Sequence, residues 1–310
     1  MAGHWSPADL PSLSGRRAVV TGANSGIGYH TALELARHGA EVTLAVRTPE
    51  KGERAAALIR SEVPGASVHV AALDLGSLES VRELAGAWSG PLDLLVDNAG
   101  LMMPPSYRQT RDGFELQFGT NHLGHFALTG RLLPALLDAP SPRVVVVSSI
   151  AHRRGTRDVV DGNPPERYQP QTTYANSKLA NLLFAFELQR RARAAGTALT
   201  VAAAHPGVSS TNLVTSDQGL GSMRAVRLLA PVLVPLVFQS PARGAEPSLY
   251  AATVAEPGSY SGPRGLREAR GHAGPARPSP VALDEDLAAR LWRVSEDLTG
   301  VQYDWPDGRS

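Results

Sequence analysis

The sequence predicts an α/β fold built on a parallel, doubly wound sheet. Three observations carry this. Short apolar runs alternate with segments of helical spacing, the run Val144–Val147 is four consecutive valines, and a glycine-rich turn follows the first run. An unbroken β-branched run suits a strand buried on both faces, as in a parallel sheet covered by helices.

The elements follow in order. Residues 17–21 read as the first strand, and 27–38 as a helix stopping at Gly39, with Leu33, Leu35 and Ala36 among its apolar positions. The rhythm continues with a strand at 41–46, a helix at 50–61, a strand at 68–73, a helix at 78–88 and a strand at 92–96. A long helical region is predicted over Arg111 to Leu137, then the valine strand, a helix from Thr173 to Ala195, a strand at 199–204 and a helix at 242–254. A last strand is expected near Ser259 to Ser261, followed by loop through the Gly/Pro-rich stretch to Pro280 and a closing surface helix at 284–298.

No linker or repeat divides the chain, so residues 1–310 are expected to form one domain, with residues 209–240 as a substrate lid. Of the 310 residues, 43% are hydrophobic and 19% charged, and the formal net charge is +1. That balance gives no basic stripe for nucleic acid. The absence of cysteine excludes disulfides, thiolate metal sites and cysteine nucleophiles, and no metal site is expected. It fits a reducing compartment, and a cytoplasmic location is expected. Met1 to Gly15 lacks the order of a signal peptide. The most apolar stretch, Leu228 to Phe238, is about half of the ~20 residues a membrane span needs and is interrupted by Pro231 and Pro235, so no span is expected.

The first strand ends in Thr21-Gly22-Ala23-Asn24-Ser25-Gly26-Ile27-Gly28. Phosphate needs backbone N–H donors and approach unobstructed by a Cβ, and glycines at a strand-to-helix turn supply both, with help from the helix dipole. The spacing is G-x-x-x-G-x-G rather than G-x-G-x-x-G. Sites of this Rossmann type that take NAD place an acid about 20 residues past the turn. Here the position 19 residues beyond Gly28 is Arg47. A guanidinium can pair with a ribose 2′-phosphate, which points to NADP(H) over NAD(H). A solvated arginine at a strand end is the other reading.

Tyr174 and Lys178 are four apart in a predicted helix and share a face. A free tyrosine titrates near ~10, and a neighbouring ammonium would bring it toward neutrality. Alone, such a pair is an ordinary surface pair. Ser149 ends the valine strand, and Asn98, Ala99 and Gly100 follow the fourth strand at the same edge, where ligands bind in such sheets. Asn121 falls inside the long predicted helix, a poor place for asparagine.

Together the glycine turn, Asp97-Asn98-Ala99-Gly100, Asn121, Ser149, Tyr174 and Lys178 resemble the short-chain dehydrogenase/reductase family over nearly the whole chain. Asn121-His122-Leu123-Gly124-His125-Phe126, Ser148-Ser149-Ile150-Ala151-His152 and Ser177-Lys178-Leu179-Ala180-Asn181 resemble most its branch of retinol dehydrogenases and their bacterial relatives. The 25 positions from Ser149 to Tyr174 match an insertion of that branch. The resemblance implies an oxidoreductase interconverting a carbonyl and an alcohol. Tyr174 would move the proton, Ser149 would hold the substrate oxygen, Lys178 would lower the tyrosine pKa and hold the nicotinamide ribose, and Asn121 would place a water. It also implies coenzyme contacts at Asn24, Ser25, Ile27, Asp74, Leu75, Asn98, Ala99, Gly100, Tyr174, Lys178, Pro206, Gly207, Val208 and Thr211, beside the glycines and Arg47. It departs at Asp97, where the family usually has asparagine.

Leu101-Met102-Met103-Pro104, the insertion and residues 209–238 are largely apolar, which favours an apolar small-molecule substrate. A variant that epimerises or dehydrates, or a non-catalytic NADP(H)-binding regulator, are the other readings. The resemblance further implies a homodimer or homotetramer formed through the long helices starting near Arg111 and Thr173.

Overall fold

A computed structural model of the chain describes residues 4–208 and 239–306. Eight strands form one sheet: β1 (Arg17–Thr21), β2 (Glu41–Val46), β3 (Val68–Ala72), β4 (Leu94–Asp97), β5 (Arg143–Val147), β6 (Thr200–Ala204), β7 (Tyr260–Gly265) and β8 (Arg270–Pro275). Their spatial order is β3-β2-β1-β4-β5-β6-β7-β8. All neighbours are parallel except β7 and β8. The order reverses direction between β1 and β4, and such a switch point opens a crevice at the carboxyl edge of the sheet. This is a Rossmann-type α/β fold.

The helices are α1 (Gly26–Arg37), α2 (Pro49–Glu62), α3 (Leu78–Ala87), α4 (Leu116–Phe118), α5 (Gly124–Leu137), α6 (Pro170–Ala194), α7 (Pro241–Thr253) and α8 (Glu285–Thr299). The valine run shows why the sheet is buried on both sides. Val144 and Val146 belong to the core layer of α3, α5, α6 and α8, whereas Val145 and Val147 belong to the layer of α1, α2 and α7. Side chains alternate across a strand, so a two-sided core requires an unbroken apolar run.

Two expectations are corrected. The helix predicted from Arg111 starts at Leu116 instead. A short bridge, Gln109 to Glu115, precedes it, and the buried Glu115 carboxylate caps it by accepting the Gln117 and Phe118 amides at 3.0 and 2.7 Å. Between α4 and α5, residues Gly119–Leu123 form one π turn. The stretch after Ser261, read as loop, pairs as the antiparallel hairpin of β7 and β8. Its glycines and prolines hide the strand alternation, and pairing at the sheet edge supplies the order that local propensity lacks. Most of the expected lid, together with Thr211 and the Leu228–Phe238 run, lies outside the described residues.

Helix α8 decides what happens to the outer faces of α5 and α6. Asp284 caps it by accepting the Leu287 amide at 2.9 Å, and Gly300 ends it in the left-handed region. Its buried residues Leu287, Leu291, Trp292 and Ser295 recur at helical spacing. The Trp292 ring lies 5.1 Å from Phe126 of α5, 5.9 Å from Phe184 of α6 and 4.6 Å from Tyr303, whose hydroxyl donates to the Phe126 carbonyl at 2.7 Å. His122 reaches Ser295 at 2.8 Å. Helix α8 therefore covers part of α5 and α6 from within this chain. No described helix is long and apolar enough to cross a membrane.

Trp292 is 2% exposed at the centre of this cluster, so Trp292→Ala should lower unfolding free energy by about 3–5 kcal/mol in urea denaturation. A loss below about 1 kcal/mol would mean that α8 does not consolidate the α5–α6 face.

Candidate active site

The carboxyl ends of β1, β4 and β5 bring the motif residues together. Gly22 and Gly26 have φ of 66° and 62°, the left-handed region that glycine enters without penalty. A Cβ on Gly22 would stand 3.0 Å from the Ala99 Cα, and one on Gly28 would stand 2.5 Å from the Asn98 amide nitrogen. The turn is thus packed tightly against the segment after β4. Ser25 precedes α1 without capping it by its side chain, so the first-turn amides of Gly26, Ile27 and Gly28 remain donors. Asn24, Ser25 and Gly26 are half-buried. Donors at a helix start and glycines that admit close approach fit a dinucleotide pyrophosphate.

Thr21 organises this corner and was not singled out from the sequence. Its hydroxyl accepts the Asn98 and Ala99 amides, both at 2.9 Å, while its carbonyl accepts the Asn98 side chain at 2.7 Å. The same hydroxyl lies 2.9 Å from His125 Nε2, and His125 Nδ1 lies 3.0 Å from the Asn121 carbonyl. A carbonyl can only accept, so His125 carries its proton on Nδ1 and takes the Thr21 proton in a hydrogen bond at Nε2. Burial pushes His125 down to about 3, which keeps the ring neutral and this tautomer available. The sequence signal for the pair was His125 four positions after Asn121 in a helical segment.

Arg47 is exposed and stands just past β2, two residues beyond Ala45, the partner of Thr21 across the ladder. Asp74 and Leu75 follow β3. The Asp74 carboxylate accepts the Gly76 amide at 3.0 Å, and Leu75 lies in the core with its carbonyl against Gly124. Leu75 thus acts first as packing. Gly100 lies beside both Asn121 and Lys178, since a Cβ there would be 3.1 Å from Asn121 Oδ1 and 3.4 Å from Lys178 Nζ.

Asn121 sits in the π turn, and its amide is satisfied three times. It accepts the Leu101 amide at 2.9 Å, donates to the Leu101 carbonyl at 2.9 Å and donates to Ser177 Oγ at 3.0 Å. Its poor helix propensity is offset by these bonds, which tie the segment after β4 to α6. The next residues of that segment are tied too. The Met103 amide donates to Gln117 Oε1 at 2.7 Å, and Tyr168 Oη donates to the Pro104 carbonyl at 2.6 Å. Met103 itself is left-handed, with φ 53°. Gln117 and Tyr168 were not legible as site residues.

Ser149 stands two residues past β5 and heads a 3-10 turn, where its hydroxyl accepts the Ala151 amide at 3.2 Å. Tyr174 is 9% exposed. Burial raises its pKa, and hydrogen bonding with the Ser149 side chain pulls the other way. The Lys178 ammonium donates to the Val147 carbonyl at 3.1 Å, and burial brings Lys178 down to about 8, so it stays mainly charged at neutral pH. Asn181 donates to the same carbonyl at 3.0 Å, and Ser148 Oγ donates to the Lys178 carbonyl at 2.7 Å. His152, buried and pushed down to about 4, donates from Nδ1 to the Ser149 carbonyl at 2.7 Å and accepts the Ser279 amide at 3.1 Å. Beyond β6, Pro206, Gly207 and Val208 turn at the same edge, with the Val208 amide donating to the Ala269 carbonyl at 2.8 Å.

Asp97 is fully buried, and desolvation pushes its carboxyl up to about 8 despite a 2.9 Å bond from Thr129. The folded pKa exceeds the unfolded value of ~3.9, so the folded state holds a proton that the unfolded state releases. This contribution is fully present below pH ~4 and is lost as pH rises toward 8. Asp97→Asn stays neutral and should remove the decline, on the order of 2 kcal/mol or more between pH 5 and pH 8, in urea titrations. Equal pH slopes for the two proteins would refute the assignment.

Residues 16–219 match the family described as short chain dehydrogenase. The chain is 42% identical over 297 residues to human Retinol dehydrogenase 13, covering 94% of this chain and 86% of that protein. A crystal structure of an uncharacterized protein from Mycobacterium Paratuberculosis superposes with a TM-score of 0.80 at 45% identity, over 97% of this chain and all of the other. A short chain dehydrogenase from Escherichia coli CFT073, complexed with NADPH, superposes with a TM-score of 0.62 at 27% identity, over 80% of this chain and 96% of its own. With the glycine cradle and the Ser149–Tyr174 corner on one sheet edge, these likenesses make the chain a member of the short-chain dehydrogenase/reductase family, in its retinol-dehydrogenase-like branch, and a nicotinamide-dependent carbonyl/alcohol oxidoreductase.

Proposed function

We propose that the enzyme uses NADP(H) on an apolar alcohol, aldehyde or ketone, with Tyr174 as acid/base. The observation that carries this is the docking of α6 on the end of β5 through Lys178 and the Val147 carbonyl, which brings Tyr174 and Lys178 to the edge where Ser149, Gly100 and the glycine turn lie. The nicotinamide supplies or accepts the hydride when bound. Hydride addition to a carbonyl leaves charge on its oxygen, which needs a fixed donor and a proton. Ser149 holds that oxygen, and Tyr174 delivers the proton. Burial keeps Tyr174 protonated, the form needed for reduction. In the oxidative direction the charge of the nearby Lys178 ammonium favours the phenolate. Asn121 holds the segment bearing Gly100 and Leu101, and Pro206, Gly207 and Val208 line the nicotinamide.

Arg47 supports NADP(H): it is exposed past β2, where the ribose 2′-phosphate would lie, and a carboxylate there would repel it. The NADPH complex of the similar dehydrogenase points the same way. An apolar substrate is supported by Met102, Met103 and Pro104 after β4, and by the name of the human relative.

The test follows nicotinamide absorbance with a panel of apolar carbonyls that includes retinal. Tyr174→Phe should lower kcat at least ~100-fold and leave the NADPH Kd nearly unchanged. Turnover at the wild-type rate would sink the acid/base role. Arg47→Asp should shift preference from NADPH toward NADH by about tenfold or more, the scale of one charge-assisted contact. A wild type that prefers NADH would contradict the coenzyme reading.

A further inference from the structure

The ring of His205 is completely buried one residue past β6. Room for it exists only because residue 262 is glycine, since a Cβ there would stand 2.0 Å from His205 Nε2. On one side, His205 Nδ1 accepts the Gly207 amide at 3.2 Å. An imidazole nitrogen that accepts an amide carries no proton, so the proton is on Nε2. On the other side, the Nε2 of this neutral ring faces Glu268 Oε2 at 3.3 Å, without the alignment of a good hydrogen bond.

Glu268 is itself held in place. Arg153 donates to Oε2 at 2.6 Å, and the Arg277 amide donates to Oε1 at 3.1 Å. It sits at the tip of the β7–β8 hairpin, where Leu266, Arg267 and Glu268 all have positive φ, of 45°, 55° and 68°. Three successive non-glycine residues in that region are rare, and such strain persists only where the surroundings over-determine it. The same tip sets the turn directly. The Ala269 carbonyl accepts the Val208 amide, and a Cβ on Gly207, whose φ is 68°, would lie 2.4 Å from that carbonyl.

We propose that His205 is a positioning residue for the coenzyme: oriented by Glu268, its ring holds the Gly207 amide and so presents Pro206, Gly207 and Val208 to the nicotinamide in one conformation. This rests on the reading that the turn lines the nicotinamide. His205 touches neither substrate nor hydride. It acts through the turn.

The geometry separates this role from packing. In His205→Asn the side-chain oxygen can stand near the former Nδ1 and accept the Gly207 amide. In His205→Gln the amide reaches the former Nε2 and leaves Gly207 unpartnered. NADPH Kd, measured by fluorescence titration, should rise about tenfold in His205→Gln, the equivalent of one buried hydrogen bond, and stay within about threefold in His205→Asn. Glu268→Ala should raise Kd about fivefold when His205 is present and have no further effect on top of His205→Asn, which offers the carboxylate no ring proton.

A packing role predicts the reverse order, because asparagine leaves the larger void. That order, or an equal effect of Glu268→Ala in both backgrounds, would overturn the inference while leaving NADP(H) binding intact. Wild-type protein that binds neither NADPH nor NADH would overturn the coenzyme reading and this inference with it. Melting temperatures of the coenzyme-free variants report folding. If His205→Gln does not fold, the comparison of Glu268→Ala with and without His205→Asn decides the matter.

Discussion

The carbonyl of Val147 is the point on which the site depends. It ends β5 and accepts two donors from α6, the Lys178 ammonium and the Asn181 amide, while Ser148 returns a bond to the Lys178 carbonyl. These bonds dock the helix that carries Tyr174 across the strand end that carries Ser149. A strand end leaves its last carbonyl without a ladder partner, and a buried carbonyl must be satisfied. Here that requirement sets the relative position of two side chains from separate elements. Asn121 and Ser177 extend the same network to the segment after β4.

Buried neutral histidines repeat this logic around the crevice. Desolvation holds His125 near 3 and His152 near 4, so each ring offers one donor and one acceptor. Each gives its Nδ1 proton to a backbone carbonyl, of Asn121 and Ser149 respectively, and uses Nε2 to accept. A neutral ring of known tautomer is a rigid two-ended strut, whereas a charged one would need a buried counter-ion. His205 is reversed, accepting at Nδ1 and directing its Nε2 toward Glu268. The polar residues behind the site therefore act through direction rather than charge.

Helix α8 adds a separate constraint. By packing Trp292 edge-on against Phe126 and tilted against Phe184, it gives α5 and α6 an apolar cover from within the chain. The polar outer side of α8 then faces outward, and its acids and arginines, such as Glu285 and Arg290, suit that position. Asp97 shows the opposite balance. A carboxyl stands in the core where the family usually has an amide, and it is accommodated by remaining protonated.

Local pattern determined the sheet rhythm, the glycine turn and the residue types of the corner where Ser149, Tyr174 and Lys178 lie. Strand and helix periodicities, and glycine at positive φ, are properties of short segments. The hairpin of β7 and β8 escaped because its glycines and prolines carry no alternation and its pairing depends on a partner strand. The late start of the helix before Asn121 escaped because Glu115 caps it only once buried. The roles of Thr21, His152, His205, Gln117 and Glu268 were equally hidden, since they depend on groups brought near by folding. The sequence by itself thus named side chains that meet at the carboxyl edge of the sheet. Only the tertiary structure decided their directions, their protons and the covering of α5 and α6, because hydrogen-bond geometry and desolvation exist only between elements already packed together.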